Sequence, residues 1–404
     1  TKILWSKKRG GLHWQSKNQF SIAFFFKKKQ KVLVTGGLGF IGSHVVVKLI
    51  NEGHSVAIVD NKTNYGIIDQ TELDAVMQER FFGIANRMTD AIDLNIYTID
   101  VANPELKTLF EQEKFDSVIH LASFPRQKVV NADPTQGSKV MSEGLLNLLE
   151  LSRQTKVKRF TYISSSMVYG DFTDNVEEWE DCNPQGQYAI MKYAGELLVQ
   201  DYTRQYGLDH TIIRPSAVYG PLDVCDRVIS KFFYNAIKGE KLIVNGKMEK
   251  LDFTFVNDLA VGIVQANQST KAINETYNLT RSKGVTLYDA AQSVKDIVGK
   301  GNIEVKQKDK DFPSRGALSI KKAQDDFDYS PEMNLNEGLM IYYHWFLNSK
   351  YWQEHFNPKP KEVKVAPAKV TNVSKTKVKT KAKPKAKPRA KAKPKPKAKW
   401  PSRF

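Results

Sequence analysis

The chain has little cysteine and no long hydrophobic run. Its two cysteines, Cys182 and Cys225, lie far apart with no metal-ligating residue at short spacing from either. That argues against a disulfide framework, leaves no metal site to expect, and suits a reducing, cytoplasmic compartment. Neither thiol is a site candidate. No stretch reaches the roughly 18 consecutive apolar residues that a membrane-spanning helix needs. The longest early run, 20–26, contains Ser21 and is followed by Lys27-Lys28-Lys29 rather than a small-residue cleavage site. No membrane span is expected, and residues 1–30 read as an unstructured basic leader.

Acid is scarce at both ends. Residues 1–31 hold nine Lys/Arg and no acid, and residues 357–404 hold 18 Lys/Arg against one acid, Glu362. The tail alone accounts for the formal charge of +17, so the body between is mildly acidic. A Lys/Pro/Ala-rich segment repels itself, blocks helix and has nothing large and apolar to seed a core, which predicts a disordered tail over 357–404. Its cations could release counterions from a polyanion, whether nucleic acid, acidic glycan or anionic surface. No aromatic residues interleave the lysines, which argues against base recognition.

What remains suits a soluble globular protein: 404 residues with 41% apolar content can bury one large core or two smaller ones. From Lys31 onward, short apolar runs alternate with longer helix-like segments, the pattern of βαβ units. Strands are predicted over 32–35, 55–60, 96–99, 117–121, 160–164 and 211–214. Helices are predicted over 40–52, 105–113, 142–154 and 188–206, where apolar residues recur at helical spacing. The fold class is therefore α/β, with a Rossmann-type doubly wound parallel sheet over 31–215. Beyond Pro215, helices over 228–237, 258–268, 287–298 and 337–346 and a strand over 252–255 indicate a smaller C-terminal substrate-binding lobe over 216–356.

Gly36, Gly39 and Gly42 follow the first strand and open the first helix, so the backbone can turn tightly, approach a pyrophosphate and offer it helix N-terminal amides. Asp60 ends the next strand, where a carboxylate accepts hydrogen bonds from the adenosine ribose and repels a 2′-phosphate. NAD is favoured over NADP. Downstream, Tyr188 and Lys192 lie four apart on a predicted helix and share a face. A phenol titrates near pH 10, and a neighbouring ammonium with a cationic nicotinamide would favour its ionised form. That makes Tyr188 the candidate acid/base. The spacing is common on amphipathic helices, but Ser164-Ser-Ser-Met-Val-Tyr-Gly170 ends the preceding strand at the sheet's carboxyl edge, where a hydroxyl can orient a substrate.

These motifs carry a resemblance. Thr35-Gly-Gly-Leu-Gly-Phe-Ile-Gly42, Ser164-Ser-Ser-Met-Val-Tyr-Gly170, Tyr188-Ala-Ile-Met-Lys192 and Ile213-Arg-Pro-Ser-Ala-Val-Tyr-Gly-Pro221 look like the extended short-chain dehydrogenase/reductases. More narrowly, they are similar to nucleotide-sugar epimerases and dehydratases, and Leu251-Asp-Phe-Thr-Phe-Val-Asn-Asp258 and Phe327-Asp-Tyr-Ser-Pro331 extend the likeness over about 31–352. The resemblance implies a catalytic set of Ser165, Tyr188 and Lys192. It implies NAD held by Gly36, Gly39, Phe40, Ile41, Gly42, Asp60, Asn61, Asp100, Val101, Leu121, Ala122 and Ser123, with Tyr188 and Lys192. It puts Ser166, Ser216, Arg227 and Arg315 beside a nucleotide-diphosphate sugar, with Arg227 and Arg315 on its diphosphate, and implies a homodimer built through paired helices.

Absence also argues subtype. Family dehydratases carry Asp-Glu directly after the catalytic hydroxyl residue, because eliminating water needs a further acid and base, and related decarboxylases keep the Glu. Here those positions are Ser166 and Met167, and a thioether transfers no proton. Epimerisation at C4 through a transient 4-keto sugar needs no such pair and is the favoured activity; a dehydratase, decarboxylase or reductase of the same family is the alternative. An NAD-sensing scaffold bound to nucleic acid through the tail is the reading from another class. Two departures point to an unusual sugar: Met141 stands where many members have asparagine, and Leu251 replaces a common arginine, for which Lys250 could supply the cation.

Overall fold

The computed structural model describes residues 29–86, 93–224, 226–310 and 312–356. The predicted disordered tail, and the basic leader apart from Lys29 and Gln30, lie outside the described residues. The first strand, β1 (Lys31–Thr35), is aliphatic along its middle, and Val32, Leu33 and Val34 are fully buried. A central parallel strand has helices on both faces and so needs no polar alternation. There follow α1 (Phe40–Asn51), β2 (Ser55–Val59), α2 (Gln70–Ala85), β3 (Leu94–Tyr97), α3 (Leu106–Glu113) and β4 (Ser117–His120). Short helices α4 (Gln127–Ala132) and α5 (Pro134–Ser138) and a π-turn at Lys139–Glu143 lead into α6 (Gly144–Gln154) and β5 (Arg159–Ile163). A 3₁₀ turn at Ser166–Tyr169, α7 (Gln187–Tyr206) and β6 (His210–Pro215) complete the expected first lobe.

Beyond β6 come α8 (Val228–Lys238), β7 (Lys241–Asn245), β8 (Lys250–Asp252), α9 (Val256–Gln268), β9 (Glu275–Leu279) and β10 (Gly284–Thr286). The described chain ends with α10 (Leu287–Val298), β11 (Asn302–Lys306), α11 (Lys321–Phe327), α12 (Leu335–Asn348) and α13 (Lys350–Phe356). The large sheet has seven strands in the order β3-β2-β1-β4-β5-β6-β9, and every neighbouring pair is parallel. Thr35 is in register with Val59 on one side and His120 on the other, so the chain leaves β1 in one direction and returns on the opposite side at β4. That reversal opens a crevice at the carboxyl ends of the strands.

Each sheet face carries its own core. Val32, Val34 and Ile58 pack with Val45 and Leu49 of α1 and Leu259 and Ile263 of α9. Leu33, Ala57 and Val118 face the opposite way, against Leu109 of α3, Leu145 and Leu149 of α6 and Val199 of α7. A third core, including Phe232, Phe233, Leu339 and Tyr342, joins α8 and α12 in the second lobe, beside the strand pairs β7–β11 and β8–β10.

Several expectations need correction. The boundary at 215/216 is crossed, because α9 and β9 return to the large sheet and β9 supplies its seventh strand. The helix predicted over 142–154 begins as α6 at Gly144, after the π-turn; a Cβ on Gly144 would stand 2.6 Å from Val101 Cγ2, so glycine lets this helix seat against the loop after β3. The strand predicted over 252–255 is split: Asp252 ends β8, and Phe255 makes only an isolated parallel bridge to Tyr219. The buried Asp252 carboxylate accepts the Leu318 N–H (3.1 Å) and Lys283 N–H (3.3 Å) and so crosslinks loops. Helix α2 went unpredicted because its inward stripe, Leu73, Val76, Arg80 and Ile84, contains an arginine, while Phe81 and Phe82 face outward.

Candidate active site

Two cavities meet above the sheet's carboxyl edge. The first is walled by the turn after β1 and by the ends of β2, β4, β5 and β6. Gly36 takes φ +69°, and a Cβ there would stand 2.8 Å from the Ala122 N; a Cβ at Gly42 would stand 2.1 Å from the Gly36 O. Backbone thus approaches backbone more closely than any side chain permits, and the N-terminus of α1, with Gly39, Phe40 and Ile41, opens on the cavity. Asp60 closes the far end: Oδ2 accepts the Leu38 N–H (3.0 Å) and Oδ1 the Lys62 N–H (2.8 Å). Burial raises its pKa, opposed by those two amides and by the charge of Arg80.

Asn61, Val101, Leu121, Ala122 and Ser123 line the same cavity, as the resemblance implies. Two residues take other places. Asp100 stands behind the wall, its carboxylate accepting Asn61 Nδ2 (2.7 Å) and the Ala102 N–H (2.9 Å), so it anchors Asn61 instead of lining the cavity. Ser216, expected beside the sugar, lies on the first cavity and not the second; it is buried, and its Oγ has no hydrogen-bond partner among the described residues.

The second cavity, about 520 Å³, lies between the lobes and is lined by Ser166, Met167, Arg227, Lys250 and Arg315, among others. Arg227 caps the start of α8, borders both cavities, and stacks its guanidinium 5.9 Å from the Phe40 ring centroid. Arg315 is pushed down to about 10 by burial, against the opposing charge of Glu249, and its Nε has no hydrogen-bond partner among the described residues. Lys250 reaches the cavity while pairing with Asp174 (2.8 Å). Sequence reasoning missed Arg126, which borders both cavities and is ion-paired with Asp226; an arginine in a loop gives no sequence signal of that placement.

Ser165 and Tyr188 stand where the cavities join, and Lys192 lines the first. Ser165 begins the 3₁₀ turn, its Oγ accepting the Met167 N–H (3.2 Å) and hydrogen-bonded to the Tyr188 phenol. Burial raises the phenol's pKa; the Ser165 hydrogen bond and the charges of Arg227 and Arg315 work against it. Lys192, expected to supply a cation beside the phenol, is itself buried. Lys192 Nζ donates to the Ile163 O (2.7 Å), and burial pushes the amine down to about 7 despite the nearby Glu196 carboxylate.

Beneath the site runs a buried polar network. Ser164 Oγ donates to Glu196 Oε1 (2.5 Å), and Arg214 grips the same carboxylate with Nε (3.0 Å) and Nη2 (2.6 Å). Arg214 Nη1 also donates to the Tyr169 hydroxyl (2.8 Å), which donates to Asn278 Oδ1 (2.9 Å). Glu196 lies four residues beyond Lys192, so the stripe of Tyr188, Lys192 and Glu196 was visible in the sequence and its last member went unread.

A crevice whose glycines a Cβ would block, lined by a Ser/Tyr pair and a buried lysine, defines an NAD-binding enzyme of the short-chain dehydrogenase type. The model of the NAD dependent epimerase/dehydratase family matches residues 32–280, and the chain belongs to that family. It is 30% identical over 84% of its length to UDP-glucuronic acid decarboxylase 1 of Xenopus tropicalis, covering 78% of that protein. Among solved structures, the UDP-glucose 4-epimerase of Thermotoga maritima with UDP-glucose is 27% identical at TM-score 0.69, with 79% of this chain and 99% of that one covered. The UDP-glucuronic acid 4-epimerase of Bacillus cereus, in complex with UDP-glucuronic acid and NAD, is 26% identical at TM-score 0.71 with the same coverage. The cofactor is NAD. Among the described residues there is no cluster suited to a metal ion and no helix long and apolar enough to cross a membrane.

Proposed function

We propose that the protein is a 4-epimerase of a nucleotide-diphosphate sugar. The observation that carries this is the junction: Ser165 and Tyr188 border both the cofactor cavity and the second cavity, so a sugar ring in the latter can meet both hydroxyls. NAD, when bound, would supply the hydride acceptor and donor for C4, and its cationic ring would favour the Tyr188 phenolate. Tyr188 takes the C4 hydroxyl proton and later gives it back, so the sugar passes through a ketone with no net oxidation. Ser165 hydrogen-bonds the reacting oxygen. Lys192 holds the nicotinamide ribose from the floor of the cavity. Arg227 and Arg315, which line the second cavity, would hold the diphosphate while the flat keto sugar turns its other face.

The relatives' names also include a decarboxylase, but Met167 occupies the position where that chemistry keeps a glutamate. Its buried thioether lines the cavity and cannot move a proton. Incubating the protein with UDP-, dTDP- and GDP-sugars without added reductant should interconvert C4 isomers, with neither water nor carbon dioxide lost. Tyr188→Phe should lower turnover by about 10²- to 10⁴-fold while NAD binding persists. Full activity in that variant removes Tyr188 from the role, and release of a dehydrated or decarboxylated product overturns the epimerase reading.

A further inference from the structure

Asp223 belongs to no motif and to none of the roles above. It lies in the loop joining β6 to α8, is 1% exposed, and lines the cofactor cavity from the second lobe. Oδ1 accepts the Val224 N–H (2.9 Å) and faces Arg227 Nε at 3.4 Å. Among the described residues, Oδ2 has no hydrogen-bond partner. The nearby guanidiniums are engaged elsewhere: Arg80 donates to the Leu222 O through Nε (3.2 Å) and Nη2 (2.8 Å) and to the Leu38 O through Nη1 (3.1 Å), while Arg126 pairs with Asp226. Burial pushes the Asp223 carboxyl up to about 6, with Arg227 and Arg80 opposing, so it is ionised at slightly alkaline pH. A buried carboxylate oxygen without a donor is costly, and this one opens on a ligand cavity.

The chemistry of the missing donor follows from what surrounds it. Pyrophosphate oxygens only accept hydrogen bonds and would repel a carboxylate, whereas ribose hydroxyls donate. Arg80 bridges the two: it donates to the O of Leu222, the residue before Asp223, and to the O of Leu38, whose N–H is held by Asp60, so Asp223 lies on the Asp60 side of the cavity, its adenosine end. We propose that Asp223 is a specificity-determining cofactor residue: its Oδ2 accepts a hydrogen bond from a hydroxyl of the adenosine ribose, across from Asp60. The second lobe then helps choose NAD over a 2′-phosphorylated dinucleotide.

Calorimetric titration of the nucleotide-free full chain at pH 7.5 tests this without turnover, so its failure would leave the epimerase reading standing. Asp223→Asn should weaken NAD by about tenfold, the scale of one hydrogen bond to a charged group. NADP should weaken less or tighten, narrowing the ratio between the two. NAD analogues lacking one adenosine ribose hydroxyl should bind the natural protein more weakly, and for the hydroxyl that Asp223 accepts the variant should show no further loss. Equal loss of NAD and NADP, or no loss of either, overturns the assignment. Asp223→Glu, which keeps the charge but displaces the oxygen, serves as the second variant should the first fail to fold. Equal affinity of the natural protein for NAD and both deoxy analogues overturns the proposal without any variant.

Discussion

Lys192 shows what burial does to one residue. The residue is 5% exposed, and its Nζ has a carbonyl partner at 2.7 Å and the Tyr162 ring 5.3 Å away. The amine titrates at about 7 in the folded protein against 10.5 ordinarily, so between those values the unfolded chain binds the extra proton and folding is penalised. The penalty is full at and below pH 7 and fades as pH climbs toward 10.5. Lys192→Met should therefore abolish turnover yet raise the thermal midpoint of the nucleotide-free protein at pH 7, with the advantage vanishing near pH 10. A midpoint that falls at every pH shows that the bond to Ile163 outweighs the desolvated charge. The residue type and spacing of Lys192 were legible in the sequence. Its depressed pKa was not, because that depends on Ile163 of β5 and on how completely α7 seals the cavity.

At the scale of elements, α7 is the member that joins chemistry to scaffold. Tyr188 and Lys192 face the cavities, and one turn further Glu196 is locked to Arg214 of β6, both essentially buried. Removing one partner of such a pair leaves an uncompensated charge, so Glu196→Gln should destabilise the fold by about 3–5 kcal/mol in urea unfolding. A loss under about 1 kcal/mol would mean that the ion pair does not anchor the helix. Helix α2 plays the matching part on the cofactor side. Leu73, Met77 and Arg80 line the cavity, while Glu79 accepts from Trp345 Nε1 (3.2 Å), Ser349 Oγ (2.7 Å) and the Tyr351 N–H (2.9 Å), tying α2 to the end of the described chain. The helical period of α7 is plain in its sequence. That of α2 is masked, because an arginine occupies the inward stripe and its partners lie up to 142 residues away.

For the whole molecule, charge separates catalysis from any accessory binding. The body between the basic ends is mildly acidic, and residues 357–404 carry 18 cations. We propose that this tail gives salt-dependent, sequence-independent affinity for polyanions. Deleting 357–404 should abolish retention on double-stranded DNA at low salt and leave turnover unchanged; retention that survives the deletion ends the idea. The alternation of strand and helix, the glycine turn, Asp60 and the Tyr188/Lys192 pair were set by the sequence alone, because each depends on neighbours within a few residues or on one βαβ unit. The seventh strand, the placement of Ser216 and Asp100, the arginines around Asp223 and the cations acting on Tyr188 were decided only by the tertiary structure. Burial and Coulomb fields depend on which distant segments close over a group, and spacing along the chain does not encode that.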